Sequence, residues 1–358
     1  MNRYLNFVIN ALDRRLSMLV FFVTARCNSS CRGCFYWKSL NKGRELRLAE
    51  IRRISDGLGR IRALLVSGGE PFLRDDLAEI CMQFYNKNKT HVISIPTNGL
   101  LTEEIAETAL KLLTSCPDLR LTINLSLDGL EETHDYLRGV KGNFNRVMET
   151  EKALRSVKAA YPGRLTVNAQ TVVSSYNLDE MPRLIEYVRR NMRVDYHSFE
   201  LMRGDYRDKT LKPLTGKQMK RYIELNLEND NYHLSRHFSQ LARRYFLEKK
   251  MYFYNMQAKV IKGRKLPLCC LAGRVIGVIE PNGDVRLCEL LEPVGNLRKS
   301  AYSFRSIWRS RKAREQRQMI CKTRCSCTHC VFLYATIEHS PRIALCDLPM
   351  RAVKSRGD

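Results

Sequence analysis

The sequence predicts an α/β protein: a partial (β/α)6 TIM-like barrel followed by a small cysteine-rich module. The first observation is that apolar runs of strand length alternate with helical patterns six times between residues 18 and 204. Six strand-then-helix units with right-handed crossovers form a parallel sheet that curls into a partial or complete barrel. The second observation is that eight of the 13 cysteines lie after residue 266, at spacings that favour metal ligands over a large core.

Three segments follow one another after the N-terminus. Residues 18–204 predict the barrel, residues 205–265 a basic, tyrosine-rich connector of helices, and residues 266–358 the cysteine-rich module. The predicted strands are 18–24, 61–66, 91–96, 121–127, 165–173 and 193–201, and the predicted helices between them lie near 47–58, 75–87, 103–114, 144–159 and 179–190.

The first 17 residues predict a single amphipathic helix. Within residues 3–17 an apolar face that includes Leu5, Val8 and Leu12 either caps the barrel bottom or rests on a membrane surface. As one helix it provides no winged-helix unit for a leader peptide. No apolar run reaches the length of a membrane span, and charged residues interrupt any signal-peptide core. We therefore expect a cytoplasmic protein, with a membrane-peripheral form as the alternative, and mostly reduced cysteines.

The chain carries a net charge of +24, from 61 basic and 37 acidic residues. Such an excess is typical of proteins that meet nucleic acid, anionic lipid or acidic partners. Part of it is local, because ten Lys or Arg face a single acid, Glu315, between Arg298 and Arg324. No nucleic-acid motif accompanies these cations, so we do not expect nucleic acid as a partner.

Unusual loops follow each of the first four predicted strands. They read "TARCNSSCRGCFYW" (24–37), "SGGEPF" (67–72), "TNG" (97–99) and "SLDG" (126–129). The carboxyl ends of parallel strands meet at one rim of the sheet, where functional loops collect. The four loops therefore predict an active site at that rim.

The first of these loops places Cys27, Cys31 and Cys34 in a C-x3-C-x2-C pattern. Three thiolates ligate three irons of a cubane and leave the fourth iron open to another ligand. A partial zinc site or buried structural cysteines are the alternatives for the triplet alone. Cys81 and Cys116 lie on helical patterns and are expected to fill the core.

The triplet after the first strand, with Gly68-Gly69-Glu70-Pro71 after the second, resembles the radical S-adenosylmethionine (SAM) superfamily. The resemblance implies a [4Fe–4S] cluster on the three cysteines, with SAM chelating the open iron. It also implies an electron donor such as flavodoxin or ferredoxin, which drives cleavage of SAM to methionine and a 5′-deoxyadenosyl radical. That radical abstracts a hydrogen atom from the substrate. The pattern "SLDG…HD…RG" is typical of the SPASM or twitch subgroup.

The same resemblance assigns SAM contacts on the rim. Gly68 and Gly69 let backbone carbonyls approach the methionyl ammonium, and Glu70 adds negative charge. Arg138 is the candidate partner of the SAM carboxylate. The other candidate contacts are Pro71, Thr97, Asn98, Ser126, Asp128, Asn168 and Gln170.

The adenine contact departs from the family pattern. The residue before the third cysteine is commonly bulky in the family, but here it is Gly33. Phe35, or its neighbours Tyr36 and Trp37, would then stack on the adenine.

The tail resembles the SPASM module, which carries auxiliary iron–sulfur clusters on seven cysteines. The order of cysteines fits, but the spacing in "CKTRCSCTHC" departs from the module's pattern. By order, one [4Fe–4S] cluster would take Cys270, Cys288, Cys330 and Cys269 as a fourth ligand, and a second would take Cys321, Cys325, Cys327 and Cys346. "PNGDVRLC" predicts a hairpin that returns Cys288 toward Cys270. One or two structural zinc sites are the alternative.

Hydrogen abstraction in this subgroup leads to oxidation or crosslinking of a peptide or protein, which is the substrate that the resemblance implies. The alternative substrate is a small molecule, sugar or lipid-linked compound at a membrane surface, and a non-enzymatic zinc-binding scaffold is the third hypothesis. If a proton leaves after abstraction, Glu200 at the end of the sixth strand is the candidate base. Asp205 and His197 are the other candidates for that role, and the alternative for Glu200 is an ion pair with Arg203 or Arg207.

Overall fold

The computed structural model of the chain describes residues 15–325 and 327–354. The predicted N-terminal helix lies outside the described residues, except for residues 15–17, which form no helix. No described helix has the length and apolar character needed to cross a membrane.

Six parallel strands form the first part of the sheet and lie side by side in chain order. Their bounds are β1 Met18–Thr24, β2 Ala63–Gly68, β3 Val92–Thr97, β4 Arg120–Ser126, β5 Leu165–Val173 and β6 Tyr196–Leu201. In β5 the side chains alternate strictly between buried and half-buried, as the period of two requires when the two faces of a strand differ. The predicted strands and their parallel order are confirmed.

Helices connect successive strands and cover the outer face of the sheet. Their bounds are α1 Leu48–Leu58, α2 Leu77–Asn88, α3 Thr102–Ser115, α4 Glu131–Arg138, α5 Asn143–Ala160 and α6 Met181–Asn191. In α1 the residues Ile51 and Ile54 are buried, because a spacing of three places them on the face that meets the sheet. This outer layer leaves the opposite face of the curled sheet free to line a cavity.

Two helices form the predicted connector, α7 Gly216–His237 and α8 Gln240–Ile261. Thr215 caps α7 by accepting a hydrogen bond from the backbone N–H of Gln218, in a capping box. The two helices pack against each other, and α7 also packs against β6.

The cysteine-rich module continues the sheet of the barrel. Its strands are β7 Ile276–Ile279, β8 Asp284–Arg286 and β9 Gly295–Asn296, and its helices are α9 Phe304–Trp308, α10 Arg311–Thr323, α11 Cys330–Glu338 and α12 Leu348–Lys354. Strand β7 pairs in parallel with β1, so the sheet has the order β6-β5-β4-β3-β2-β1-β7-β8-β9. Buried residues of the module belong to the same hydrophobic cluster as those of the barrel.

The predicted hairpin is confirmed, because β7 and β8 pair antiparallel around "PNGD". Gly283 in the turn has a φ of +89°, a conformation that favours glycine. The hairpin is anchored to the barrel side by Arg298, whose guanidinium donates to both carboxylate oxygens of Glu50 at 2.7 and 3.0 Å. These contacts join the module to the first turn of α1, which contains Glu50.

Candidate functional site

The main cavity, of about 310 Å³, opens at the carboxyl ends of the parallel strands. It is lined by all four loops that the sequence singled out, through Cys27, Gly68, Thr97 and Asp128 among others. The predicted convergence of these loops on one rim is confirmed.

The cysteine loop between β1 and α1 is held by backbone contacts. The side-chain amide of Asn41 accepts from the N–H of Cys27 at 3.0 Å and donates to its carbonyl at 3.3 Å. The N–H of Arg32 donates to the carbonyl of Leu137 at 2.9 Å, and the N–H of Arg207 donates to that of Cys34 at 3.1 Å. Without regular secondary structure, the loop therefore depends on partners in α4 and after β6 for its shape.

Gly68 and Gly69 let the second loop pass directly beneath the cysteine loop. A Cβ on Gly68 would lie 2.2 Å from the carbonyl oxygen of Thr24, and one on Gly69 would lie 2.0 Å from that of Arg26. Gly68 also has a φ of +124°, in the region that side chains avoid. The glycines thus place the cysteine loop itself, and their role toward SAM stays a prediction.

Glu70 is a buried anchor between the second and third loops. It accepts from the hydroxyl of Thr97 at 2.9 Å, from the N–H of Asn98 at 2.7 Å and from the N–H of Phe72 at 3.3 Å. Burial raises its pKa to about 7, against these hydrogen bonds, which lower it. The side-chain amide of Asn98 continues the network by donating to the hydroxyl of Ser29 at 3.0 Å.

The three thiols share one wall of the main cavity. Burial, with smaller contributions from the neighbouring Cys31, Glu70 and Cys34, raises the pKa of Cys27 to about 11. Burial also raises the pKa of Cys34, with Cys31 adding to the effect. Thiols in this environment become thiolates only when positive charge compensates them, which is what bound iron provides.

Arg138, the last residue of α4, is buried beside the thiols. Its Nη1 lies 3.2 Å from the carboxylate of Asp128, and its buried Nε has no hydrogen-bond partner among the described residues. Burial lowers its pKa, but Cys31, Asp128 and Cys27 outweigh burial and raise it. A fully charged guanidinium with a free donor fits the carboxylate of an amino acid in the cavity.

Asp128 holds Arg138 in place and is itself held. Its second oxygen accepts from the N–H of Val172 at 2.8 Å, and its own N–H donates to His134 at 3.0 Å. The carbonyl of Asp128 accepts from the side-chain amide of Asn177 at 2.7 Å. Its carboxylate oxygens are engaged within the protein, so Asp128 positions the arginine.

A polar row crosses the cavity-facing side of the sheet. Ser126 and Gln170 are paired in register on β4 and β5, and both line the main cavity. Asn168 lies one row deeper, where its amide donates to Asn124 at 3.1 Å. Pro71 begins a buried 3-10 turn. Neither Asn168 nor Pro71 is among the residues that line the cavity.

Of the three aromatics after Cys34, only Phe35 lines the main cavity. The hydroxyl of Tyr36 donates to Glu280 of the module at 2.9 Å, and the indole N–H of Trp37 donates to the carbonyl of Asp205 at 2.9 Å. The structure therefore leaves Phe35 as the aromatic side chain of this group that can stack on an adenine.

Glu200, Arg203 and Glu289 line a second part of the cavity, which we call the far end, because the charges that act on Arg203 differ from those that act on Arg138. Arg203 donates to Glu200 at 2.9 Å and lies 3.5 Å from Glu289, and its guanidinium lies 4.7 Å from the ring centre of Phe35. His329 contacts Glu289 at 2.7 Å from the opposite side. Burial opposes the charge on Glu289, but His329 and Arg203 outweigh it and lower its pKa to about 2.

Sequence reasoning found Glu200 and its pairing with Arg203, which is confirmed, and missed Glu289. The one signal for Glu289 is that it directly follows the predicted cluster ligand Cys288, which the hairpin carries toward the barrel. Glu200 also accepts from the amide of Gln170 at 2.6 Å. The far end is therefore built jointly by the barrel and the module.

The other two candidate bases do not face the cavity. His197 is buried on the outer side of β6, where its Nε2 lies 2.9 Å from the hydroxyl of Thr171. Asp205 is paired with Lys38 at 2.6 Å and with Lys209 on the surface. Of the three, only Glu200 lines the main cavity, and its role as a base stays a prediction.

Four cysteines of the module are electrostatic neighbours. Cys327 and Cys270 both raise the pKa of Cys288, after burial, and Cys270 and Cys325 act in the same way on Cys327. Cys270 also lies near Cys325, and its sulfur is 3.7 Å from the hydroxyl of Thr336. This grouping mixes the two ligand sets that the order of the cysteines predicted.

The remaining cysteines of the module lie elsewhere. Cys269 and Cys321 are joined as a disulfide, with their Cα atoms 4.8 Å apart, so the prediction that they ligate iron concerns the reduced chain. The thiol of Cys330 contacts Glu200 at the far end of the main cavity, and Cys346 is exposed. Cys81 and Cys116 are buried in the core, as expected.

Within residues 15–325 and 327–354, no three His, Cys, Asp or Glu side chains are arranged to hold a single metal ion. The two groups of neighbouring thiols consist of sulfur ligands alone, a donor set that suits iron–sulfur clusters as well as zinc. The buried, charged Arg138 beside the first group offsets the negative charge that thiolates carry. The residues present therefore fit an iron–sulfur cluster in the barrel loop.

Two family models match the chain. One, described as the radical SAM superfamily, matches residues 21–188, and the other, described as an iron-sulfur cluster-binding domain, matches residues 269–331. The first match lies within the barrel and the second within the cysteine-rich module.

Among curated proteins, an AdoMet-dependent heme synthase of Methanosarcina barkeri is 30% identical over 346 residues, which cover 89% of this chain and 92% of that protein. A probable GTP 3′,8-cyclase of Methanocella arvoryzae is 32% identical over 187 residues, or 51% of this chain and 56% of that protein. The likeness to the synthase thus spans both the barrel and the module.

Solved structures show the same fold. Native anSMEcpe with bound AdoMet and the Kp18Cys peptide has a TM-score of 0.63 and 18% identity, over 95% of this chain and 99% of that chain. Streptococcus suis SuiB bound to S-adenosylmethionine has a TM-score of 0.59 and 16% identity, over 96% of this chain and 77% of that chain. At these identities the likeness concerns the fold.

Proposed function

The chain belongs to the radical SAM superfamily, and from this premise we propose that it cleaves SAM reductively and removes a hydrogen atom from an organic substrate. A cluster bound to the barrel loop supplies the electron that splits SAM into methionine and a 5′-deoxyadenosyl radical. The observation that carries the proposal is the convergence of three thiols, a buried arginine and a separate polar end on one cavity.

The residues of the cavity divide the work between two ends. Cys27, Cys31 and Cys34 would hold the cluster, and Arg138 would bind the carboxylate of SAM from its position on Asp128. Ser126 lines the same cavity, where its hydroxyl would exchange a hydrogen bond with a ribose hydroxyl of SAM. The far end then remains for the substrate.

We place a small organic molecule first among substrate classes. The supporting comparison is the heme synthase of Methanosarcina barkeri, because the match spans 92% of that protein. The cavity also supports a small substrate, since its far end is lined by buried charges, and one of them, Glu289, comes from the module. A small molecule can contact these charges directly, whereas a peptide would have to extend its chain past them.

A peptide or protein side chain is the second candidate, as the sequence alone suggested. It is favoured by the solved structure of anSMEcpe with a bound peptide, which shares the fold over 95% of this chain. In either case Glu200 is the candidate acceptor for a proton that leaves the substrate, because it is the only one of the three predicted bases that lines the cavity.

For localisation we propose the cytoplasm, where iron–sulfur ligands stay reduced.

The activity is tested by anaerobic reconstitution with iron and sulfide, followed by SAM and dithionite. We expect about four irons per cluster and formation of 5′-deoxyadenosine that depends on both added reagents. A reconstituted, iron-loaded chain that forms no 5′-deoxyadenosine under these conditions would contradict the proposal.

The substrate class is tested by the origin of the abstracted hydrogen. The enzyme is given SAM, dithionite and one of three fractions of deuterium-labelled cells: small molecules, peptides and proteins, or lipids. The small-molecule fraction is first freed of labelled SAM, so that deuterium enters 5′-deoxyadenosine only with the fraction that contains the substrate, and mass spectrometry reads it out. We expect the label from the small-molecule fraction, whereas label from the peptide and protein fraction would establish the second candidate.

A further inference from the structure

A second cavity, of about 360 Å³, lies on the surface where the end of α8 meets α12. Its lining includes four exposed cations, Lys259, Lys262, Arg264 and Arg351, which we call the basic groove. Arg351 also lies over the ring of Tyr252 at 5.6 Å. The proposed reaction uses none of these residues.

The charge of the basic groove is poorly compensated nearby. The acid near Tyr252 is Asp347, which raises the pKa of that tyrosine. Asp347 is itself paired with Arg342 at 3.9 Å. Lys265, next to Arg264 in the chain, is also exposed. A concave surface lined by one sign of charge attracts partners of the opposite sign and accelerates their association.

The basic groove borders the cluster-binding module. Pro267 of its lining lies two residues before Cys269, which is joined to Cys321. On the same helix as the groove cations, Gln257 donates from its amide to the carbonyl of Thr328 at 2.9 Å, inside the cysteine segment. The groove therefore rests directly against the loops that carry the auxiliary thiols.

The other side of the module faces the main cavity. Glu289, next to Cys288, and Val331, next to Cys330, both line that cavity. The auxiliary thiols thus lie between the basic groove and the site where SAM would be cleaved. Clusters held by the auxiliary thiols would give an electron that enters at this surface a route inward through the module.

We propose that the basic groove docks an acidic electron-carrier protein that reduces the enzyme through the module. The proposal rests on the proposed function, since each SAM cleavage consumes one electron from outside the chain. The reduced carrier loses one electron, and the SAM sulfonium gains it as the C5′–S bond breaks. Methionine leaves with an electron pair on sulfur, and the unpaired electron stays on C5′.

The test compares two reductants in the reconstituted full-length enzyme. The variant K259E/K262E/R264E is assayed for 5′-deoxyadenosine with reduced flavodoxin, an acidic carrier, and separately with dithionite, which needs no docking surface. We expect kcat/KM for flavodoxin to fall by about tenfold or more, and the dithionite-driven rate to stay unchanged. The loss should shrink as salt rises, because screening removes the attraction in both proteins.

The matched control is R305E/R309E/K312E, which makes the same change in charge on exposed positions of α9 and α10. Helix α9 packs against α1, so this control surface faces another part of the molecule. We expect the control to keep the flavodoxin-driven rate. An equal loss in both variants would overturn the proposal, since net charge alone would then explain the effect.

Other outcomes also decide the question. Unchanged flavodoxin kinetics in the groove variant would overturn the proposal, and so would a groove variant that loses only its binding to phosphatidylglycerol vesicles. A wild-type enzyme that makes no 5′-deoxyadenosine even with dithionite would instead contradict the proposed function. Thermal unfolding of both variants shows that each is folded before its kinetics are compared.

Discussion

The barrel loop and the module hold their cysteines by different means. In the loop, three thiols within eight residues are placed by backbone contacts such as those of Asn41 with Cys27. In the module, the neighbouring thiols come from the segment before β7, the end of the hairpin and the loop before α11, as Cys270, Cys288, Cys325 and Cys327 show. The loop is therefore a local structure that its neighbours support. The module's thiols, in contrast, are close together only because the fold brings three separate segments of the chain into contact.

The comparison teaches where each group is vulnerable. The loop has few buried side chains of its own and depends on its neighbours, chiefly on the close approach of Gly68 and Gly69. The module depends on the pairing of β7 with β1 and on Arg298 at Glu50. Four experiments break or sharpen this contrast.

The largest effect is expected from Cys31→Ser. Loss of one of three ligands leaves the barrel cluster unsupported, so the chain should lose about four irons and at least about a hundredfold in 5′-deoxyadenosine formation. Iron analysis and the dithionite assay measure both quantities. Retention of SAM cleavage by this variant would show that the triplet is not the cluster site. Cys81→Ser, at a buried core position, is the control that should keep its iron.

The second experiment sharpens the ligand sets of the module by comparing Cys327→Ser with Cys346→Ser. Cys327 is an electrostatic neighbour of Cys270, whereas Cys346 is exposed. We expect Cys327→Ser to lose about four irons and Cys346→Ser to lose none. Equal losses in the two variants would support the assignment by sequence order instead.

The third experiment separates the two ends of the main cavity through their buried arginines. Arg138→Gln removes the charged donor proposed for the SAM carboxylate, so KM for SAM should rise by about 10- to 100-fold. Arg203→Gln at the far end is the matched variant, and it should raise KM for SAM much less than Arg138→Gln does, because it reaches SAM only through the ring of Phe35. Both values come from initial rates of 5′-deoxyadenosine formation. A rise of the same size in both would argue against two separate ends.

The smallest effect concerns the anchor of the module, Glu50. Hydrogen bonds from Arg298, against the effect of burial, lower the pKa of Glu50 from 4.5 to about 2. A carboxyl with a depressed pKa in the folded state stabilises the fold above its unfolded pKa, and this contribution is lost as the pH falls from 4.5 toward 2.

Wild type should therefore exceed Glu50→Gln in free energy of unfolding by about 1–3 kcal/mol at pH 6, and by less at pH 3. Urea unfolding followed by circular dichroism measures the difference at each pH. A difference that stays constant between the two values would show that the carboxylate charge does not stabilise the anchor.

Most of the barrel could be predicted from the sequence. Alternation of apolar runs and helical patterns located all six parallel strands, because each pattern reports burial along one short segment. The rim loops were predictable for the same reason, since topology sends the ends of parallel strands to one edge. The helix α4 was not singled out, although it carries Arg138 at its last position.

The far end of the cavity was only partly predictable. Glu200 follows from its place at the end of the sixth strand, and Arg203 follows it by three residues, but Glu289 meets Arg203 through a contact that no spacing in the sequence expresses. The disulfide pairing of Cys269 with Cys321 was likewise not indicated, because residues 52 positions apart are brought together by packing.

By itself, the sequence determined the parallel barrel, the rim and the cysteine triplet, because each depends on residues close together in the chain. Only the tertiary structure decided that β7 would join β1, so that the module completes the sheet and closes the cavity. The physical reason is that β1 without β7 would leave an unpaired row of backbone N–H and C=O groups inside the protein. Which segment satisfies them depends on the fold of the whole chain.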